Sequence, residues 1–93
     1  MIKLNEYFNG NVKSLAVKNN EANATVGVIS PGEYEFGTST VEIMQVISGE
    51  MKALLPGRKD WIIFKSGQDF RVEKNQVFKV LATEPVAYYC KYM

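Results

Sequence analysis

The sequence predicts an all-β fold: a small antiparallel β-barrel or jelly roll with little or no helix. Short runs of β-branched and aromatic residues recur at even spacing, with Gly, Pro and Asn between them. No segment sustains apolar residues at i, i+3, i+4 and i+7, so no amphipathic helix is expected. The chain has 93 residues, enough for a single domain spanning 1–93.

The elements follow in order. Asn5-Glu6-Tyr7-Phe8 is a short aromatic segment that runs into an Asn9-Gly10 turn. Residues 12–18 alternate and predict a strand. Residues 19–23 are polar and turn-rich, and 24–29 predict a β-branched strand. Gly27 inside that strand signals a bulge or a close backbone approach. Ser30-Pro31-Gly32 turns the chain into its central stretch, which runs to Gly49. There Tyr34, Phe36, Thr38, Thr40 and Glu42 share one parity and, in a strand, one side. Glu33 and Glu35 take the other side. Further strands are expected over 50–55, 61–65, 69–73, 77–82 and 86–92, with turns at Pro56-Gly57, Ser66-Gly67, Lys74-Asn75-Gln76 and Thr83-Glu84-Pro85. This gives roughly nine strands, a count that suits a sandwich or barrel.

Composition excludes several function classes. Eleven Lys and Arg against ten Asp and Glu leave a net charge of +1, interspersed with no basic stripe, so no nucleic-acid surface is expected. No apolar run approaches the ~18 residues of a membrane span. The first residues lack the apolar region of a signal peptide, and Cys90 is alone, so no intrachain disulfide forms; a reducing cytoplasm fits. Histidine is absent, which removes the usual neutral-pH acid/base and the commonest transition-metal ligand. A domain of this size buries only about 60–65% of its unfolded surface, so dimerisation is a natural complement to a modest core.

Two spacings carry more information. From Gly32 the chain has five residues, then Thr38 and Thr40, then Glu42 and six residues to Gly49. From Gly67 it has five residues, then Glu73, Asn75 and Phe78. These frames resemble the two cupin motifs with the metal-binding histidine positions held by Thr38, Thr40 and Phe78. Glu73 stands where the second motif has proline. Asn75 stands where it has glycine, and asparagine tolerates positive φ. The spacer before Glu42 is one residue where the motif has three or four. The whole chain resembles the pyrimidine/purine nucleoside phosphorylases, a family of small cupins. The likeness runs through Asn5-Glu6-Tyr7-Phe8, Val12-Lys13-Ser14, Val26-Gly27-Val28, Gly32-Glu33-Tyr34, Phe36, Thr38, Glu42, Ser48-Gly49, Leu55-Pro56, Asp60-Trp61, Phe78, Tyr88, Cys90 and Tyr92. The resemblance implies a homodimeric cupin that splits purine and pyrimidine nucleosides with inorganic phosphate, giving free base and α-D-ribose 1-phosphate.

That chemistry needs a hold on the ribose hydroxyls, on phosphate and on the base. At the ligand positions Thr38, Thr40 and Phe78 line the interior, and Tyr34, Phe36 and Glu42 join them by parity. Glu42 is the expected catalytic carboxylate, on ribose or as acid/base; a salt bridge at the rim is its structural alternative. Tyr34, Phe36, Phe78 and Tyr88 are candidate stacking residues that in a small barrel equally serve as core. Thr38 and Thr40 are candidate donors to phosphate or ribose, and they also suit a strand. For the phosphate cation Lys91 ranks first, then Lys13 and Arg71, with Arg58 on a turn tip behind them. The alternation of the last strand leaves open whether Lys91 or the set Tyr88, Cys90 and Tyr92 faces inward. Cys90 is expected to be a buried apolar residue, since no histidine activates it. With no histidine ligands, no metal or other cofactor is expected. The rival readings are a cupin that binds a nucleotide-like or sugar ligand without catalysis, and a metal-dependent isomerase or dioxygenase of the same fold, against which the missing histidines argue.

Overall fold

Alternation along ten strands decides which side chains are enclosed. The computed structural model describes residues 1–93. It contains β1 (Leu4–Tyr7), β2 (Val12–Lys18), β3 (Asn23–Ile29), β4 (Gly32–Gly37), β5 (Glu42–Ser48), β6 (Glu50–Leu54), β7 (Ile62–Lys65), β8 (Asp69–Val72), β9 (Val77–Ala82) and β10 (Val86–Tyr92). The one helical element is a three-residue 3-10 turn at Phe8–Gly10. The strands form two antiparallel sheets, ordered β1-β2-β3-β10-β5-β8 and β4-β9-β6-β7. This is the small cupin-type barrel that the sequence predicts.

The core lies between the sheets. Val12, Ile29, Val46, Val80 and Val86 are fully enclosed, with Met51 at 2% exposure. Burying each such side chain contributes about 1.5–3 kcal/mol. In β10, Val86, Tyr88 and Cys90 are buried while Ala87, Tyr89 and Lys91 are only partly covered. The inward set is therefore Tyr88, Cys90 and Tyr92, which settles the alternation that the sequence leaves open.

Two features depart from the sequence pattern. The segment read as an aromatic lead-in is itself a strand: β1 pairs with β2 from Leu4↔Leu15 to Tyr7↔Val12. The central stretch is two strands in different sheets, because β4 ends at Gly37 and β5 begins at Glu42. Parity does not carry across residues 38–41. The crossing is pinned to the turn between β8 and β9. Thr38 N–H donates to Gln76 O at 2.9 Å, and Asn75 N–H donates to Thr38 O at 2.9 Å. Asn75 has φ +61°, the left-handed conformation that asparagine tolerates. Tyr34 and Phe36 face inward from one sheet and Glu42 from the other, so Glu42 lands inside for a reason other than its parity with them.

Gly27 marks a close approach, not a bulge: the β3 register runs unbroken against both β2 and β10. A Cβ at Gly27 would lie 2.6 Å from Tyr88 Oη and 2.7 Å from the Lys13 carbonyl oxygen. Only glycine lets the Tyr88 ring lie across the strand.

Candidate active site

Cross-strand register assembles the site. On the inner face of the larger sheet, Ser14 stands opposite Gly27 and Gly27 opposite Tyr88. Thr25 stands opposite Cys90, Cys90 opposite Met44, and Tyr92 opposite Glu42. From the smaller sheet, paired Phe36 and Phe78 face them, their rings stacked with centroids 5.6 Å apart and planes 25° apart. Tyr7 and Phe8 close one side. Of these, Ser14, Glu42, Met44, Tyr88, Cys90, Tyr92, Phe36 and Phe78 join Tyr7 and Phe8 in lining a cavity of about 280 Å³ that opens between the sheets. That is near the small end of ligand pockets, ~300–1,000 Å³, and matches one compact ligand.

The lining is aromatic with a few polar groups. Glu42 is the interior carboxyl, and burial raises its pKa above the ordinary 4.5. The Cys90 thiol, 3.5 Å from Glu42 Oε1 and donating to it, opposes that rise only in part. The thiol is itself pushed up to about 12, first by burial and then by the neighbouring Glu42 charge. It stays protonated and unreactive, in keeping with a buried, apolar role. Burial pushes the Tyr88 phenol up to about 12, with Ser14 partly offsetting the rise. Burial likewise raises Tyr92, whose hydroxyl shares a 2.9 Å hydrogen bond with Thr25 Oγ1. Asn5 Nδ2 donates to Ser14 Oγ at 3.4 Å. No Lys or Arg lines the cavity; its formal charges are Glu42 and the exposed Glu35 at the mouth. The outward placement expected for Glu35 is thus modified, since it is exposed but reaches the rim.

Of the residues the sequence offers as catalytic or substrate-binding, Glu42, Phe36, Phe78 and Tyr88 meet in this cavity. The others do not. Tyr34 is buried behind Phe8, its hydroxyl donating to the carbonyls of Ser30 at 2.9 Å and Pro31 at 3.1 Å. Thr38 is buried outside the cavity; its hydroxyl donates to Glu73 O at 2.7 Å and accepts from the Gln76 N–H at 3.0 Å. Thr40 lies on the crossing with a 3.3 Å contact from Oγ1 to Val41 O. Lys91 and Lys13 occupy the outer face of the larger sheet, opposite Cys90 and Ser14 in alternation. Arg71 is exposed, its Nε 2.7 Å from Glu73 Oε2, and lines a separate cleft of about 270 Å³ with Arg58 and Gln76. Sequence reasoning missed Tyr7, Phe8 and Ser14 as lining residues and left Tyr92 open. Alternation with Val12 signals Ser14, and alternation with Tyr88 signals Tyr92; nothing local signals Tyr7 and Phe8.

The metal-ligand positions of the cupin frame do not present a donor set. Thr38 is bound to backbone, Phe78 has no donor, and no three His, Cys, Asp or Glu side chains come together anywhere in the chain.

Residues 2–92 match the family model described as pyrimidine/purine nucleoside phosphorylase. A protein of that name from Marinobacter nauticus is 50% identical over 92 residues, covering 99% of each chain. One from Rhodopirellula baltica is 47% identical over 91 residues, covering 98% of this chain and 99% of its own. A crystal structure of a Vibrio parahaemolyticus protein of unknown function superposes with a TM-score of 0.95 at 41% identity, covering 100% of this chain and 99% of that one. The chain is a member of the pyrimidine/purine nucleoside phosphorylase family.

Proposed function

We propose that this chain is a pentosyltransferase that phosphorolyses both purine and pyrimidine nucleosides, giving free base and α-D-ribose 1-phosphate. The observation that carries the proposal is the aromatic-lined cavity holding one interior carboxyl, Glu42, in a chain that matches the family from end to end. Ribose is the part common to all substrates, so the one interior carboxyl belongs with it. As a carboxylate, Glu42 accepts hydrogen bonds from the ribose hydroxyls and stabilises positive charge as the C1′–N bond breaks. The bonding pair leaves with the base, a phosphate oxygen forms the new bond to C1′, and the proton of hydrogen phosphate passes to the base nitrogen, giving the neutral free base. The bases share only their π-faces, and the rings of Phe36, Phe78 and Tyr88 offer surfaces that tolerate any of them.

Phosphate meets no cation inside the cavity. Arg71 and Arg58 line the cleft at the same end of the barrel, where β5 and β8 pair Glu42 with Val72. Arg71 uses Nε for Glu73 and has both terminal nitrogens for an anion, so we assign it the capture of phosphate in this separate cleft, from which phosphate reacts only after passing to C1′ in the cavity. The reaction needs no metal in this scheme, because the frame's ligand positions hold threonine and phenylalanine. The chain acts as a homodimer through the outer face of the larger sheet. There Leu4, Leu15, Val26 and Val28 are 53%, 45%, 39% and 50% exposed and line one apolar groove. Its setting is the cytoplasm, where Cys90 stays reduced.

The test incubates purified protein with uridine and, separately, adenosine, each with and without phosphate and with and without chelator, while free base and ribose 1-phosphate are quantified. Phosphate-dependent release from both, unchanged by chelator, is expected. Binding without release would favour the non-catalytic cupin, whose support is the lack of a cation in the cavity.

A further inference from the structure

The backbone turns left-handed for three residues in succession at the cavity wall: Phe8 has φ +53°, Asn9 φ +57° and Gly10 φ +85°. Glycine and asparagine adopt this conformation readily, but a phenylalanine does so against steric resistance. No side chain caps this 3-10 turn; a single 3.1 Å bond from the Asn11 N–H to Phe8 O closes it. Strained residues of this kind persist where surrounding contacts over-determine them, and they gather at ligand clamps.

The contacts that hold the strained residue are aromatic. The Phe8 ring lies 5.0 Å from Tyr34, tilted by 52°, and 5.6 Å from Phe36, edge-on. Tyr34 is fixed in turn through its hydroxyl to two backbone carbonyls. Phe8 is thus braced from below, while 41% of it stays exposed. The consequence falls on its neighbour. Tyr7 ends β1 in extended conformation, lines the same cavity, stacks on no other aromatic ring and is 49% exposed. A braced turn that costs backbone strain and leaves a half-exposed ring over a ligand-sized cavity is poor packing but a good stacking platform.

We propose that Tyr7, held by the strained Phe8–Gly10 turn, is a nucleobase-stacking residue of this site. It closes over the base from the mouth, opposite Phe36 and Phe78, and supplies affinity without edge-specific hydrogen bonds. Acceptance of two-ring and one-ring bases follows, because a ring at an open mouth accommodates either width. This inference rests on the nucleoside-cleaving reading of the cavity.

The experiment compares wild type with Tyr7→Ala and Tyr7→Phe, measuring kcat and KM for uridine and inosine and, independently, binding of both nucleosides by calorimetry without phosphate. Base-aromatic stacking predicts that Tyr7→Ala weakens binding and raises KM about tenfold or more for both nucleosides, with kcat near wild type. Tyr7→Phe, which keeps the ring, stays near wild type. Tyr7 is exposed, so thermal unfolding of Tyr7→Ala should match wild type. Unchanged affinity in Tyr7→Ala, or a loss that Tyr7→Phe shares in full, would overturn the stacking role. A wild type that binds nucleosides but releases no base overturns phosphorolysis alone; the calorimetric comparison then still decides Tyr7.

Discussion

The two faces of the six-stranded sheet invert the usual arrangement. The inner face, which should be uniformly apolar, carries Ser14, Glu42, Tyr88 and Tyr92 around a cavity, with Thr25 hydrogen-bonded to Tyr92 beside it. The outer face, which should be polar, exposes Leu4, Leu15, Val26 and Val28. Burying a carboxyl and several hydroxyls costs stability unless they are partnered, and exposing an apolar sheet face costs solubility unless it is covered. Both departures make sense together if the inside is built for a ligand and the outside for a second copy. A strand can serve both ends, since adjacent residues belong to different faces: Cys90 touches Glu42 while Lys91, one residue on, lies outside.

The sharpest way to break this contrast is at its most unusual inner residue. Glu42→Gln keeps the shape and removes the charge, and the phosphorolysis rate should fall by a factor on the order of 10² or more with the fold intact. Turnover near wild type in a steady-state assay would leave the inner carboxyl without a catalytic role. Next in size is Gly27→Ala, which drives a methyl against Tyr88 and the Lys13 carbonyl. The backbone cannot yield far, so about 1–3 kcal/mol of stability should be lost. At about 4–8 °C per kcal/mol for a domain of this size, thermal unfolding resolves it readily.

The outer face is probed by Val28→Lys, a charge placed in the exposed apolar groove. If the chain is the dimer proposed above, sedimentation should show it shifting to monomer while nucleoside affinity holds; a dimer unchanged by the charge would put the interface elsewhere, and a monomeric wild type would remove the dimer.

The smallest effect is also the most diagnostic, because one titration should move activity and stability in opposite directions. Burial raises the Glu42 pKa above 4.5. Between 4.5 and the raised value, the folded chain holds a proton that the unfolded chain has released. The stability that Glu42 contributes is therefore fully present below 4.5 and lost as pH rises through its raised pKa. A ribose-binding carboxylate, by contrast, works only when ionised, so kcat/KM should fall as pH drops through that same pKa. In Glu42→Gln both the stability difference and the acidic limb should vanish. If the stability slope of the variant equals that of wild type, Glu42 is not the buried acid described above.

Much of the fold was legible because its signals are local. Alternation and turn residues located β2, β3 and β6 to β10 but ran β4 and β5 together, and Asn75 and Gly27 announced a left-handed turn and a close approach. The cupin spacings pointed to residues around Glu42, which lies at the cavity. They also misled, since Thr38 and Thr40 occupy ligand positions in sequence yet lie on a crossing between sheets. There the Thr38 hydroxyl is committed to the backbone of residues 73 and 76. A crossing resets parity, and its position depends on which strands pair, which is not a local property.

The all-β content, the lack of histidine chemistry and the family are written in the order of the residues alone. That order also determined that Glu42 would be the carboxylate to examine. Which face of β10 turns inward is set by the packing of one sheet on the other, and with it Lys91 leaves the cavity and Tyr92 enters. The packing of the sheets also brings Phe8 against Phe36, some thirty residues away in the chain, and Tyr7 onto the same cavity. The physical reason is that period-two alternation specifies two faces but not which is inside. That choice belongs to the second sheet and to the apolar surface it can cover.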